Sequence, residues 1–195
     1  MKTFLVLSLL FVSMCCLPLA AQKTTKLLHK NDLSNWHLQN QDGSWIIEKG
    51  VLTIENSDKK QGNILWTNME YNDFEFQTEY KELGGTIDSG VFLRSENDQI
   101  QIGISGSLKR DLTASPYIPG KRYPVEADVA DVLKKDDWNT MKIICKGNSY
   151  TVWLNNKEVM TYTSEGMPLV GPIGLQLHPG NTMKIAYKNM TVKSL

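Results

Sequence analysis

The sequence predicts an all-β chain folded as an antiparallel two-sheet sandwich. Three observations predict it. Short segments with period-2 alternation follow one another along most of the chain, turn residues separate them at close intervals, and no amphipathic helix of useful length interrupts them. Alternation gives each strand one face for a core and one for water or a ligand.

Ser44-Trp45-Ile46-Ile47 and Val51-Leu52-Thr53-Ile54 flank Glu48-Lys49-Gly50, a hairpin connection containing glycine. Asn63-Ile64-Leu65-Trp66-Thr67 follows. In 73–82, Phe74, Phe76, Thr78 and Tyr80 alternate with Glu75, Gln77, Glu79 and Lys81, the pattern of a half-buried antiparallel strand. Two strands then run through 88–94 and 98–102 around Ser95-Glu96-Asn97. Further strands are expected at 138–145, 150–154 and 157–163, with Asn155-Asn156 turning between the last two, and at 173–178 and 183–193. Residues 125–135 allow one or two helical turns.

The segment 105–137 departs from this spacing. It holds Gly106, Pro116, Pro119, Gly120 and Pro124, and loops this long are usually functional or disordered. Tyr117 and Tyr123 beside the prolines predict an ordered loop packed on the domain. The basic pairs Lys109-Arg110 and Lys121-Arg122 read as solvated.

The first 21 residues read as an export signal: Lys2, an apolar run from Phe4 to Leu19, and Leu19-Ala20-Ala21 as a small-residue cleavage site. The mature chain is then a single domain, 22–195, in the periplasm or at the cell surface. Cys15 or Cys16 as a lipoprotein acceptor is the minor alternative, because Met14 and Cys15 are poor small-residue matches before them. The mature chain carries 20 basic against 21 acidic side chains. Near neutrality argues against nucleic acid and anionic membrane as partners, and no other long apolar run predicts membrane insertion. Cys145 is then the one remaining cysteine, so the domain stands without an internal disulfide.

The face chemistry points to a polyhydroxylated ligand. Arg94, Gln99 and Gln101 can share one face while Val91, Leu93, Ile100 and Ile102 enter the core. Guanidinium and amide groups hold hydroxyls by directional hydrogen bonds. Ile173, Leu175 and Leu177 likewise turn inward, so Gln176 and His178 face outward, and a His at a strand end can transfer protons near neutral pH. Paired carboxylates of an ordinary glycosidase are not evident. Glu75 and Glu79 lie on the regular outer side of a strand, whereas Asp88, Asp111 and Glu126 lie in or near loops. No nucleophile elbow, phosphate loop or zinc spacing is present, and the sequence specifies neither a cofactor nor a metal.

The chain resembles the 3-keto-disaccharide hydrolase domain family of exported bacterial proteins. Ser89-Gly90-Val91-Phe92-Leu93-Arg94, Gln99-Ile100-Gln101-Ile102, Thr113-Ala114-Ser115-Pro116-Tyr117, Trp138-Asn139, Val152-Trp153-Leu154-Asn155, Gly171 to His178 and Lys188-Asn189-Met190 match its motifs in order. The resemblance implies a concanavalin-like jelly roll acting on an oligosaccharide or oxidised glycoside. Such a glycosidic bond yields to elimination and hydration, a route that needs a base and an electrophile. On that reading His178, Arg94, Asp88 and Tyr117 are catalytic, with Arg94 over the ketone. Gln99, Gln101, Gln176, Phe92, Asp111 and Tyr123 bind substrate. Gln99 stands where the family usually has Glu, and an amide is no base. A non-catalytic, lectin-like carbohydrate-binding module is therefore the alternative.

Overall fold

The computed structural model describes residues 23–41, 43–56 and 61–195; the expected signal segment and mature N-terminus lie outside them. The described residues form fourteen strands and no α-helix. One antiparallel sheet runs β12 (Lys157–Thr163), β11 (Ser149–Leu154), β10 (Asn139–Lys146), β6 (Phe74–Gly85), β14 (Met183–Ser194), β4 (Val51–Glu55), β3 (Ser44–Glu48), with β1 (Thr24–Lys26) also on β14. The second runs β2 (Trp36–Leu38), β5 (Asn63–Thr67), β13 (Ile173–Leu177), β7 (Asp88–Leu93), β8 (Gln99–Gly103), β9 (Pro116–Tyr117). Each expected strand is present. The short β1, β2 and β9, of two or three residues, carry too little periodicity to be read from the sequence.

Turn chemistry sets the hairpins. Lys49 and Gly50 have φ of 50° and 81°, and Asn155 and Asn156 have φ of 50° and 73°. Two-residue loops with both φ positive twist in the same sense as the strands they join, so β3–β4 and β11–β12 pair tightly. Residues 125–135 make a single turn, closed by the Leu133 amide donating to the Val129 carbonyl at 2.9 Å.

The core lies between the sheets. Phe74, Phe76 and Tyr80 of β6, Ile185 and Tyr187 of β14, and Met141, Ile143 and Cys145 of β10 pack toward Leu65, Val91, Leu93, Ile100, Ile102, Ile173, Leu175 and Leu177. Cys145 is fully buried, and burial pushes its thiol up to about 12, so no reactive thiolate forms near neutral pH. Among the described residues no helix is long and apolar enough to cross a membrane.

Arg94 corrects the simple alternation. It follows β7 with φ of 62°, a left-handed step that ends the period-2 pattern. Its side chain is fully buried and donates to the carbonyls of Gly147 at 2.5 Å, Pro168 at 3.1 Å and Asn72. It also lies 3.5 Å from the Asp73 carboxylate and 5.6 Å from the centre of the Phe74 ring. The guanidinium thus ties the end of β7 to the β10–β11 turn and to the start of β6. It is a structural anchor and is absent from the cleft described below.

Candidate functional site

The outward face of the second sheet divides into two halves, and strand register places them. Trp66 pairs with Gly174, Gly174 with Phe92, Phe92 with Gln99, and Gln99 with Tyr117. Gly174 has no side chain, so the Trp66 ring lies over it: a methyl group there would come within 2.6 Å of the ring. Trp66 then meets Phe92 at 5.7 Å between ring centres, and with Ile64 the two form a separate buried apolar cluster. Phe92 is therefore packing for the sheet's outer surface and does not line the cleft.

The other half is a cleft of about 450 Å³, lined by polar groups from β7, β8, β9, β13 and three loops. Asp88, Gln99, Gln101, Gln176, His178, Tyr117 and Tyr123 all line it, so seven of the ten residues selected from the sequence are brought together. Asp111 is not among them. It is exposed, and its carboxylate accepts from the Thr113 amide at 2.9 Å, within its own turn. A loop position by itself carries no information on direction.

The cleft floor is a hydrogen-bonded array. Tyr123 Oη donates to Gln101 Oε1 at 3.1 Å, and Gln101 Nε2 donates to Asp88 Oδ1 at 2.9 Å. Both ends of the Gln101 amide are thereby engaged, so it positions Asp88 rather than a ligand. Burial raises the Tyr123 phenol, which keeps it a donor near neutral pH. Its ring lies 5.4 Å from that of Tyr117. Gln99 Nε2 donates to Gln176 Oε1 at 2.6 Å, leaving Gln99 Oε1 as acceptor and Gln176 Nε2 as donor for a ligand. Gly90 permits this crossing, since a methyl group there would meet Gln99 Nε2 at 2.5 Å.

Asp88 and His178 meet at one end of the cleft. Asp88 is 3 % exposed and His178 about one-third exposed. His178 Nδ1 lies 2.7 Å from the Pro179 carbonyl, which fixes that nitrogen as the donor. Nε2 is then the lone-pair nitrogen in the neutral ring, and it faces Asp88 Oδ2 at 3.6 Å. The arrangement lets a proton arriving on Nε2 be met by the Asp88 charge. Asn181 Nδ2 lies 3.5 Å from the same oxygen. Among the described residues no group of three or more His, Cys, Asp or Glu side chains is placed to hold a metal ion.

Sequence reasoning missed Ser105, Gly106, Ser107, Lys109 and Asn181, which line the cleft from loops. The glycine in Ser105-Gly106-Ser107 was the available signal. A methyl group on Gly106 would sit 2.7 Å from Asp88 Oδ2 and 4.0 Å from His178 Cε1. Asp88 is held by Gln101 and cannot withdraw freely. Gly106→Ala should displace Asp88 and His178 from each other, while a thermal melt shifts by a few degrees at most. A structure of the variant with the His178–Asp88 distance unchanged at 3.6 Å would show that the added methyl group is absorbed elsewhere.

The sequence pattern of the 3-keto-alpha-glucoside-1,2-lyase-like domain matches residues 23–193, in agreement with the motif resemblance. No curated protein matches the chain. Solved structures share the fold. A Parabacteroides distasonis ATCC 8503 protein with a provisional glycosyl hydrolase name is 24 % identical, with a TM-score of 0.66 over 89 % of this chain and 100 % of that one. A Bacillus subtilis protein of unknown function with a galectin-like fold is 16 % identical, TM-score 0.62, over 88 % and 94 %. The carbohydrate-binding module CBM66 from Bacillus subtilis is 15 % identical, TM-score 0.55, over 82 % and 96 %.

Proposed function

This chain belongs to the 3-keto-alpha-glucoside-1,2-lyase-like domain family, and from that premise we propose that its cleft breaks the glycosidic bond of a 3-keto-glycoside by elimination across carbons 1 and 2. The observation that carries the reading is the pairing of His178 with Asp88 in a cleft where, among the described lining residues, Asp88 is the single carboxylate. An ordinary glycosidase needs two carboxyl groups across the bond. Elimination beside a ketone needs one base. The carbonyl at carbon 3 acidifies the hydrogen on carbon 2, His178 Nε2 takes that proton, and Asp88 stabilises the imidazolium. The enolate then expels the oxygen on carbon 1, which receives a proton, and water adding to the unsaturated sugar completes a net hydrolysis. Gln99 Oε1 and Gln176 Nε2 hold sugar hydroxyls, and Tyr117 supplies a further donor. The substrate would be met outside the cytoplasm, with 1–21 serving as the export signal.

Gln99 in place of the family's usual Glu favours a second reading, a carbohydrate-binding module without turnover; CBM66 has the same fold. One experiment separates the two. The purified domain is incubated with a 3-keto-disaccharide and with the unoxidised disaccharide, and release of reducing sugar is followed. Turnover of the keto form alone supports elimination. Binding of either sugar without turnover supports the module, and no interaction with either defeats both.

A further inference from the structure

We propose that Lys109 holds the developing enolate oxygen, the role that the family resemblance implied for Arg94. The proposal rests on the elimination reading above. As the proton leaves carbon 2, its electron pair forms the bond to carbon 3 and negative charge collects on the carbon 3 oxygen. A cation fixed there is worth most in the transition state. Arg94 is committed to backbone carbonyls inside the domain. Among the described lining residues two side chains can be cationic, His178 and Lys109, and His178 is the base.

Lys109 is exposed, lines the cleft, and has no ion-pair or side-chain hydrogen-bond partner among the described residues. Its neighbours differ. Arg110 is paired with Glu126, and Lys121 with Glu165 at 2.5 Å. The free ammonium also sits on an ordered turn. The Lys109 amide donates to the Ser105 carbonyl at 2.8 Å, the Leu108 amide to Ser105 Oγ at 3.2 Å, and the Ser105 amide to the Arg110 carbonyl at 2.9 Å. Lys109 itself has φ of 56°. The same turn carries Gly106 against Asp88 Oδ2 and His178. Two residues therefore separate the contact with the base from the free cation, and one turn sets the two charges that the reaction needs.

The step is balanced. The C2–H bond breaks, its electrons become the C2–C3 double bond, and the carbon 3 oxygen takes the charge opposite the ammonium. Collapse of the enolate breaks the C1–O bond, and the departing oxygen takes a proton from the imidazolium. No oxidant or reductant enters.

The test uses the whole domain and a 3-keto-disaccharide in deuterated water, following deuterium entry at carbon 2 of unreacted substrate together with reducing-sugar release. Lys109→Ala should lower kcat roughly 10²–10³-fold with KM little changed, slow the deuterium exchange in parallel, and leave the melting temperature in place because the side chain is exposed. Lys109→Arg should retain most of the rate. If the wild type turns over and Lys109→Ala stays within threefold of it, the proposal is wrong and the elimination reading survives. If Tyr117→Phe slows exchange where Lys109→Ala does not, the phenol is the enolate donor and the proposal fails. A wild type inert toward the keto sugar overturns both.

Discussion

Arg94→Ala will damage the fold before it reaches the chemistry. The substitution removes every donor from three backbone carbonyls and withdraws the cation beside Asp73 and Phe74. A buried polar group left unpaired costs about 1–3 kcal/mol, and breaking one partner out of a buried charged cluster costs about 3–5 kcal/mol. Asp73 is partly exposed and recovers some hydration, so about 3–5 kcal/mol in total is expected. For a domain of this size that is a fall of roughly 6–20 °C in melting temperature. Arg94→Lys should fall between the two, because an ammonium lacks the planar fork that reaches several carbonyls at once. Calorimetry on the three proteins decides it. A melting temperature within about 2 °C of wild type for Arg94→Ala, combined with lost turnover, would return Arg94 to the cleft.

His178→Ala and Asp88→Asn should do the reverse, removing activity from an intact domain. Loss of a positioned general base lowers the rate roughly 10²–10⁴-fold. Asp88→Asn keeps an oxygen for the Gln101 amide but removes the charge that stabilises the imidazolium, so a fall of similar size is expected. The double variant is the sharper measurement. Groups that act as a unit are strongly non-additive, so the pair together should cost little more than the worse single change. If the two losses multiply, Asp88 and His178 act at separate steps. If His178→Ala keeps full rate, Asp88 itself takes the proton.

What the sequence determined was what local geometry can determine. Side chains in a strand alternate whatever the strand's neighbours are, so Gln99, Gln101, Gln176 and His178 could be placed outward and Val91, Ile100 and Leu175 inward without coordinates. Two-residue turns were legible at Asn155-Asn156 for the same reason: the backbone they need is a local property. Alternation fails where a strand ends, and Arg94 stands one residue past that end with φ of 62°. Nothing within the chain's neighbourhood announces the carbonyls of Gly147 and Pro168, which come to it from 53 and 74 residues away. Phe92 faces outward as alternation requires. Register alone reveals that Trp66, crossing over Gly174, claims it for packing. The loop residues were beyond reach of any period. Lys109, Gly106 and Asn181 reach the cleft because the tertiary fold lays two loops against the ends of β7, β8 and β13. Asp111, equally plausible as a loop acid, turns back on its own Thr113. Strand faces follow from the chirality and pleat of the backbone. The meeting of His178, Asp88 and Lys109 in one cleft follows from strands and loops far apart in sequence packing together, and tertiary structure alone decides that.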